Sequence, residues 1–282
     1  MRFRFFANKF PVSCHNTETS QLTMDKQIAI VTGTSRLKGI GRAICLELAK
    51  NGIDIFFTFW TDYDKQMPWK TAVNEPDLIQ AEISALGVRC EKIELNLIEE
   101  NSIEELFNEV ELKLGFPTIL INNAAYSTQT SIDNITSEEL DKHYLINLKA
   151  PTLLTVEFIK RFQGNRNGRI VNLTSGQSLS FMNNDIAYAI TKSAIETLTR
   201  TLSQEIAKKG ITINAVNPGL TDTGWLNEKQ TAMFKDRFPM GRLGRPDDVA
   251  KLISFLVSEK AEWITGQVIH SEGGFTRESY GS

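Results

Sequence analysis

Gln27-Ile28-Ala29-Ile30-Val31-Thr32 runs directly into Gly33-Thr34-Ser35-Arg36-Leu37-Lys38-Gly39-Ile40-Gly41. The first six residues are largely apolar and β-branched, the composition of a short buried strand. The glycines break the strand, and from Arg42 to Asn51 apolar residues return at helical spacing until Gly52 stops them. Strand, glycine loop and helix in this order form a dinucleotide-binding opening: glycines let the backbone approach a pyrophosphate, and the helix N-terminus attracts its charge. Glycines also serve ordinary tight turns, so the loop takes its weight from its place between this strand and this helix.

Outward from that opening, strand and helix patterns alternate. Strands are predicted at Ile53 to Phe59, Cys90 to Leu95, Thr118 to Ile121, Arg169 to Thr174, Ile211 to Val216 and Gln267 to Ile269. Helices are predicted at Glu82 to Leu86, at Ser102 to Leu114, through Asn147 before Pro151, from the Tyr188 region to about Lys209, and from Asp247 to Ser258. This implies a single-domain α/β fold of the Rossmann kind, a doubly wound parallel sheet of about seven strands with helices on both faces. Gly224 to Met240, with Trp225, Met233, Phe234 and Phe238, reads as a mobile pair of short helices forming a lid. Between Tyr63 and Pro76 lies a polar, irregular insert with Pro68 and Trp69.

The chain has 282 residues, 41% of them hydrophobic and 23% charged, enough for one large core. A formal charge of -3 argues against nucleic acid as the main partner. No run approaches the roughly 18 apolar residues of a membrane span. Cys14, Cys45 and Cys90 make no metal-ligand spacing, and His15, His143 and His270 are scattered, so no metal is expected and a reducing, cytoplasmic setting is inferred. Residues 1–23 stand apart, with Arg2, Arg4 and Lys9 among phenylalanines and no acid before Glu18; they read as a disordered extension or a transit peptide ahead of a domain spanning 24–282.

The chemistry concentrates in Ala187-Tyr188-Ala189-Ile190-Thr191-Lys192 and in Ser175, at the end of the fifth strand. On a helix, Tyr188 and Lys192 rise from one face. An ammonium beside a phenol favours the phenolate, lowering its pKa from about 10 and fitting it to exchange a proton. Ser175 would hydrogen-bond a substrate carbonyl oxygen that Tyr188 protonates. Taken alone, a Tyr and a Lys four apart are also a common accident on helices.

With the glycine loop, these residues resemble the classical short-chain dehydrogenase/reductase family, and the nearest relatives by resemblance are the 3-oxoacyl-[acyl-carrier-protein] reductases. The likeness runs from about Gln27 to Phe275. It implies that Gly33, Thr34, Ser35, Arg36, Gly39 and Ile40 hold the cofactor phosphates, and that Asn96 and Leu97 flank the adenine. Asn122-Asn123-Ala124-Ala125 resembles the family's NNAG, with Asn123 tying strands together beside the cofactor. Asn147 matches the family's fourth catalytic residue, whose side chain holds a proton-relaying water; a buried hydrogen-bond or kink role is the other reading. Lys192 would also bond the nicotinamide ribose. In Asn217-Pro218-Gly219-Leu220-Thr221-Asp222-Thr223, the Thr221 backbone and Thr223 hydroxyl would meet the nicotinamide carboxamide.

The loop departs from the family in having five residues between Gly33 and Gly39 where three are usual, with Leu37-Lys38 as the extra pair. No acid stands at Trp60-Thr61 to receive a ribose hydroxyl, while Arg36 suits a phosphate, so NADP is expected rather than NAD. Arg36 and Lys38 also read as solvated loop charges. The resemblance implies a homotetramer acting on a small-molecule carbonyl or alcohol, or on a carrier-bound thioester near Lys160, Arg161, Arg166 and Arg169. The rivals are a non-catalytic dinucleotide-binding regulatory protein and an epimerase or dehydratase on the same fold.

Overall fold

The computed structural model describes residues 26–67, 72, 74–164, 167–226 and 228–277. The expectations for residues 1–23, for Cys14 and His15, for Pro68 and Trp69 and for Arg166 fall outside the described residues.

Seven strands pair side by side, all parallel, in the order β3-β2-β1-β4-β5-β6-β7. They are β1 (Ile28–Val31), β2 (Asp54–Phe59), β3 (Cys90–Glu94), β4 (Ile119–Asn122), β5 (Gly168–Leu173), β6 (Ile211–Asn217) and β7 (Val268–His270). Because both faces are covered, the central strands are apolar on successive residues rather than alternate ones. Val31, Phe57 and Ile121 face α1 (Ile40–Lys50), α3 (Glu75–Ser84) and α9 (Pro246–Val257). Ile30, Phe56 and Leu120 face α4 (Ser102–Lys113), α6 (Ala150–Arg161) and α7 (Ile186–Ala207). The strand order reverses between β1 and β4, and ligands of such sheets bind at the carboxyl ends of the strands beside that reversal.

Three expectations change. The helix predicted from Glu82 begins at Glu75, where Pro76 in the first turn and the acids Glu75 and Asp77 favour an N-terminus. The polar insert is partly helical: α2 (Thr61–Gln66) starts directly after β2. In the expected lid there is one helix among the described residues, α8 (Glu228–Lys235), and Phe238 after it is buried against Phe275, with ring centroids 4.9 Å apart.

Candidate active site

The glycine loop is built by close contact. Gly33 has φ +71°, and a Cβ there would lie 2.6 Å from the Ala124 Cα. A Cβ on Gly41 would meet the Thr34 hydroxyl at 2.5 Å. The Asn123 side chain donates to the carbonyls of Thr32 and Gly33 at 2.8 and 2.9 Å, tying β4 to the loop. Among the described residues no side chain caps the N-terminus of α1, whose first N–H groups suit an anion.

Gly33, Thr34, Ser35, Arg36, Gly39, Ile40, Asn96, Leu97, Asn123 and Thr223 line one pocket, bringing ten of the expected cofactor residues together. Leu95, Ala124, Ala125 and Ile146 add apolar wall. A cradle that any Cβ would fill, an uncapped helix end and apolar sides fit a dinucleotide.

The extra loop residues are braced rather than slack. The Leu37 N–H donates to a Glu75 carboxylate oxygen at 2.6 Å, and Arg42 donates to the Leu37 carbonyl at 3.2 Å while pairing with Glu82. Arg36 reaches across the pocket and donates to the Thr223 carbonyl at 2.5 Å. Burial lowers the Arg36 pKa against the pull of Asp64, Glu75 and Tyr63. Four residues beyond Trp60, an acid does reach the site: α2 folds Asp64, 4% exposed, into the pocket wall.

At the cluster expected to be catalytic, Ser175 follows the end of β5, and α7 carries Tyr188 and Lys192. Ser175 lies beside the Tyr188 phenol and draws its pKa down. The Lys192 ammonium lies 5.5 Å from the Tyr188 ring centroid and donates to the Leu173 carbonyl at 2.8 Å. The expected lowering of the tyrosine pKa is corrected here. Burial dominates and pushes Tyr188 up to about 12, with only the Ser175 hydrogen bond pulling it down. Burial also depresses Lys192 to about 8. Lys192 still carries its proton at neutral pH, but a backbone carbonyl holds its ammonium.

Asn147 is 1% exposed and lies in a π-helical turn, Leu145–Lys149, between α5 (Ser137–Tyr144) and α6. The continuous helix expected there is widened at this turn. Pro151 cannot donate to the carbonyl four residues back, which belongs to Asn147, so the α-helical ladder fails there. The Asn147 side chain clamps both backbone groups of Tyr126, accepting from its N–H and donating to its carbonyl, each at 2.8 Å. It also reaches the Thr191 hydroxyl at 3.3 Å. These bonds support the buried hydrogen-bond and kink role, while Oδ1 accepts from one donor and keeps a second lone pair.

Thr221 lies outside the pocket lining and is buried. Its hydroxyl donates to the Pro218 carbonyl at 3.0 Å and its carbonyl accepts the Trp225 indole N–H at 3.1 Å. Of the basic stretch, Arg169 lies within β5 and is buried at 2% exposure, which removes it from any carrier-facing surface.

Sequence reasoning missed Tyr63, Tyr126, Glu75 and Glu196. Tyr63 lines the pocket, accepts from the Ser127 backbone and sits 5.8 Å, ring to ring, from Tyr126. Glu196 had a legible signal, its place four residues beyond Lys192 on one helix. The others come from loops and an insert with no periodicity to read.

A parallel sheet with a glycine cradle at its reversal and a Ser-Tyr-Lys cluster beside it defines a nicotinamide-dependent oxidoreductase. Residues 33–276 match the family model described as Enoyl-(Acyl carrier protein) reductase, and the chain belongs to this short-chain dehydrogenase/reductase family. It is 46% identical to the oxidoreductase YjdA of Bacillus subtilis over 254 residues, covering 89% of this chain and 98% of that protein. It is 31% identical to the 3-oxoacyl-[acyl-carrier-protein] reductase FabG of Aquifex aeolicus over 258 residues, 90% of this chain and 99% of that one. Among solved structures, the angucycline C-6 ketoreductase LanV with bound NADP superposes with a TM-score of 0.77 at 28% identity, covering 88% of this chain and 95% of that one. No helix among the described residues is long and apolar enough to cross a membrane.

Proposed function

We propose that this protein is an NADP(H)-preferring reductase or dehydrogenase of a carbonyl or secondary-alcohol substrate, similar in substrate class to the 3-oxoacyl-thioester reductases. The observation that carries the reading is the buried Lys192 ammonium 5.5 Å from the Tyr188 ring centroid, with Ser175 beside the phenol. A bound nicotinamide supplies or accepts the hydride. The chain's own residues manage the proton. Ser175 donates to the substrate oxygen and Tyr188 gives it a proton in reduction, or takes one in oxidation. A phenol whose pKa lies near 12 holds its proton at neutral pH, so it depends on Lys192 to favour the phenolate as the proton leaves. Lys192, charged at neutral pH, favours the phenolate left behind and would hold the nicotinamide ribose. Gly33, Gly39 and the N-terminus of α1 would hold the phosphates, Asn96 and Leu97 the adenine, and Thr223 the nicotinamide side.

NADP is supported by Arg36 and by the NADP bound to LanV. Asp64 and Glu75 offset the Arg36 charge, and this favours NAD as the second nucleotide. By the same family resemblance the enzyme is a cytoplasmic homotetramer.

The test is NADPH and NADH consumption, followed by absorbance, with a ketone panel that includes acetoacetyl thioesters. Tyr188→Phe should lower kcat by about 10²–10⁴-fold while nucleotide binding persists. Undiminished turnover in that variant would remove Tyr188 from the mechanism. Equal use of both nucleotides by the wild type would remove the NADP preference.

A further inference from the structure

Glu196 follows Tyr188 and Lys192 along one side of α7, at four-residue steps. It is 4% exposed, and a carboxyl group so buried persists only where partners replace its water. One oxygen accepts three side chains, the Gln177 amide at 2.6 Å, the Ser178 hydroxyl at 3.1 Å and the Thr174 hydroxyl at 3.2 Å. The other oxygen faces the Arg200 guanidinium at 3.7 Å.

The three donors belong to one short segment, and Ser175 lies inside it. Thr174 precedes Ser175, and Gln177 and Ser178 close the single 3-10 turn that follows it. The single Thr174 hydroxyl proton is shared between Glu196 and the Lys192 carbonyl, also at 3.2 Å, and both acceptors lie on the same helix. The segment bearing the serine and the helix bearing Tyr188 and Lys192 therefore meet at one carboxyl group.

We propose that Glu196 is the positioning residue of the Ser175 loop, fixing the separation of the Ser175 and Tyr188 hydroxyls on which proton transfer depends. The proposal rests on the reading of Ser175 and Tyr188 as the reacting pair. Reacting groups tolerate little displacement: an error of about 1 Å costs on the order of 10²-fold in rate. A carboxyl that merely satisfied a polar core would change stability and leave the rate of each folded molecule alone.

The experiment compares Glu196→Ala, Glu196→Gln, the loop-side double variant Gln177→Ala/Ser178→Ala and Arg200→Ala with the wild type. Each is measured with NADPH bound, by kcat per folded molecule on the best ketone of the panel, by KM for NADPH and by hydrogen exchange of residues 174–179. Glu196→Ala and the double variant should exchange faster in that segment. They should also lose kcat by about 10- to 100-fold, with KM for NADPH within about twofold. Glu196→Gln, which keeps an acceptor oxygen, should recover most of kcat. Arg200→Ala, touching only the outer oxygen, should match the wild type. Unchanged exchange in Glu196→Ala, or faster exchange with kcat intact, overturns the proposal. If Glu196→Ala does not fold, the double variant decides between the same two outcomes. A wild type that reduces no ketone overturns the functional reading instead, a failure separable from that of the loop tie, which exchange reads directly.

Discussion

Lys192 and Tyr188 are a cation and an acid held where water is scarce, and each shows its cost in the direction of its pKa. An unfolded lysine titrates near 10.5 and Lys192 near 8 in the fold. Between those values the unfolded chain binds more protons, so this group makes the protein more stable as pH rises. The stability of the wild type relative to Lys192→Met should therefore climb from about pH 8 to about pH 10 in urea titrations. A difference that stays flat across that range would contradict the buried, depressed lysine. The same group sets activity: ketone reduction should hold at neutral pH and bend downward near pH 8 as Lys192 loses its proton, and the pH–rate profile of Lys192→Met should lack that bend. Gly33 makes a separate demand. With φ +71° and the Ala124 Cα at 2.6 Å from any Cβ, Gly33→Ala should lose at least about 1–3 kcal/mol in the same titrations and weaken nucleotide binding.

Among the elements, the glycine loop carries the clearest departure from its family, and the tertiary structure accounts for it. Two added residues lengthen the loop, and Glu75 at the start of α3 receives the Leu37 N–H while Arg42 holds the Leu37 carbonyl. Without that acceptor the loop loses a charge-assisted hydrogen bond worth about 1.5–3 kcal/mol. Glu75→Ala should raise the Kd for NADPH by about tenfold or more at little change in kcat, read by fluorescence titration. An unaltered Kd would mean that the loop holds its shape alone. This brace was hidden in the sequence because α3 begins two turns earlier than its apolar spacing indicates, inside a stretch whose polarity resembles a plain loop. The same limit applies to α2: periodicity cannot locate a six-residue helix, and with it went the pocket position of Asp64 and Tyr63. Asn147 was legible as a residue and not as a geometry, since Pro151 marks a break but does not reveal that the helix continues through it by widening.

At the scale of the molecule, the pocket draws on the carboxyl ends of β1, β2, β3 and β4 and on the turn after β6, so bound nucleotide bridges segments far apart in the chain. Binding to the native state alone at about 100 times Kd adds about 2.7 kcal/mol of stability. For a domain of this size that should raise Tm by roughly 5–10 °C. NADPH should give the larger rise, NADH at equal concentration a smaller one, measured by scanning calorimetry. Equal shifts would count against Arg36 as a discriminator, in keeping with its bond to the Thr223 carbonyl and its acidic neighbours.

The sequence by itself determined the parallel sheet, because strands buried on both faces must be apolar without alternation, and Ile28–Val31 and Ile119–Asn122 largely are. It also determined that Tyr188 and Lys192 share one face of α7, because helical spacing alone puts residues four apart on one side. Only the tertiary structure decided the direction of their pKa shifts, since burial is a property of what packs around a group. It alone also decided that Glu196 meets the Ser175 loop and that Asp64 reaches the pocket, because hydrogen bonds between residues distant in the chain leave no period in it.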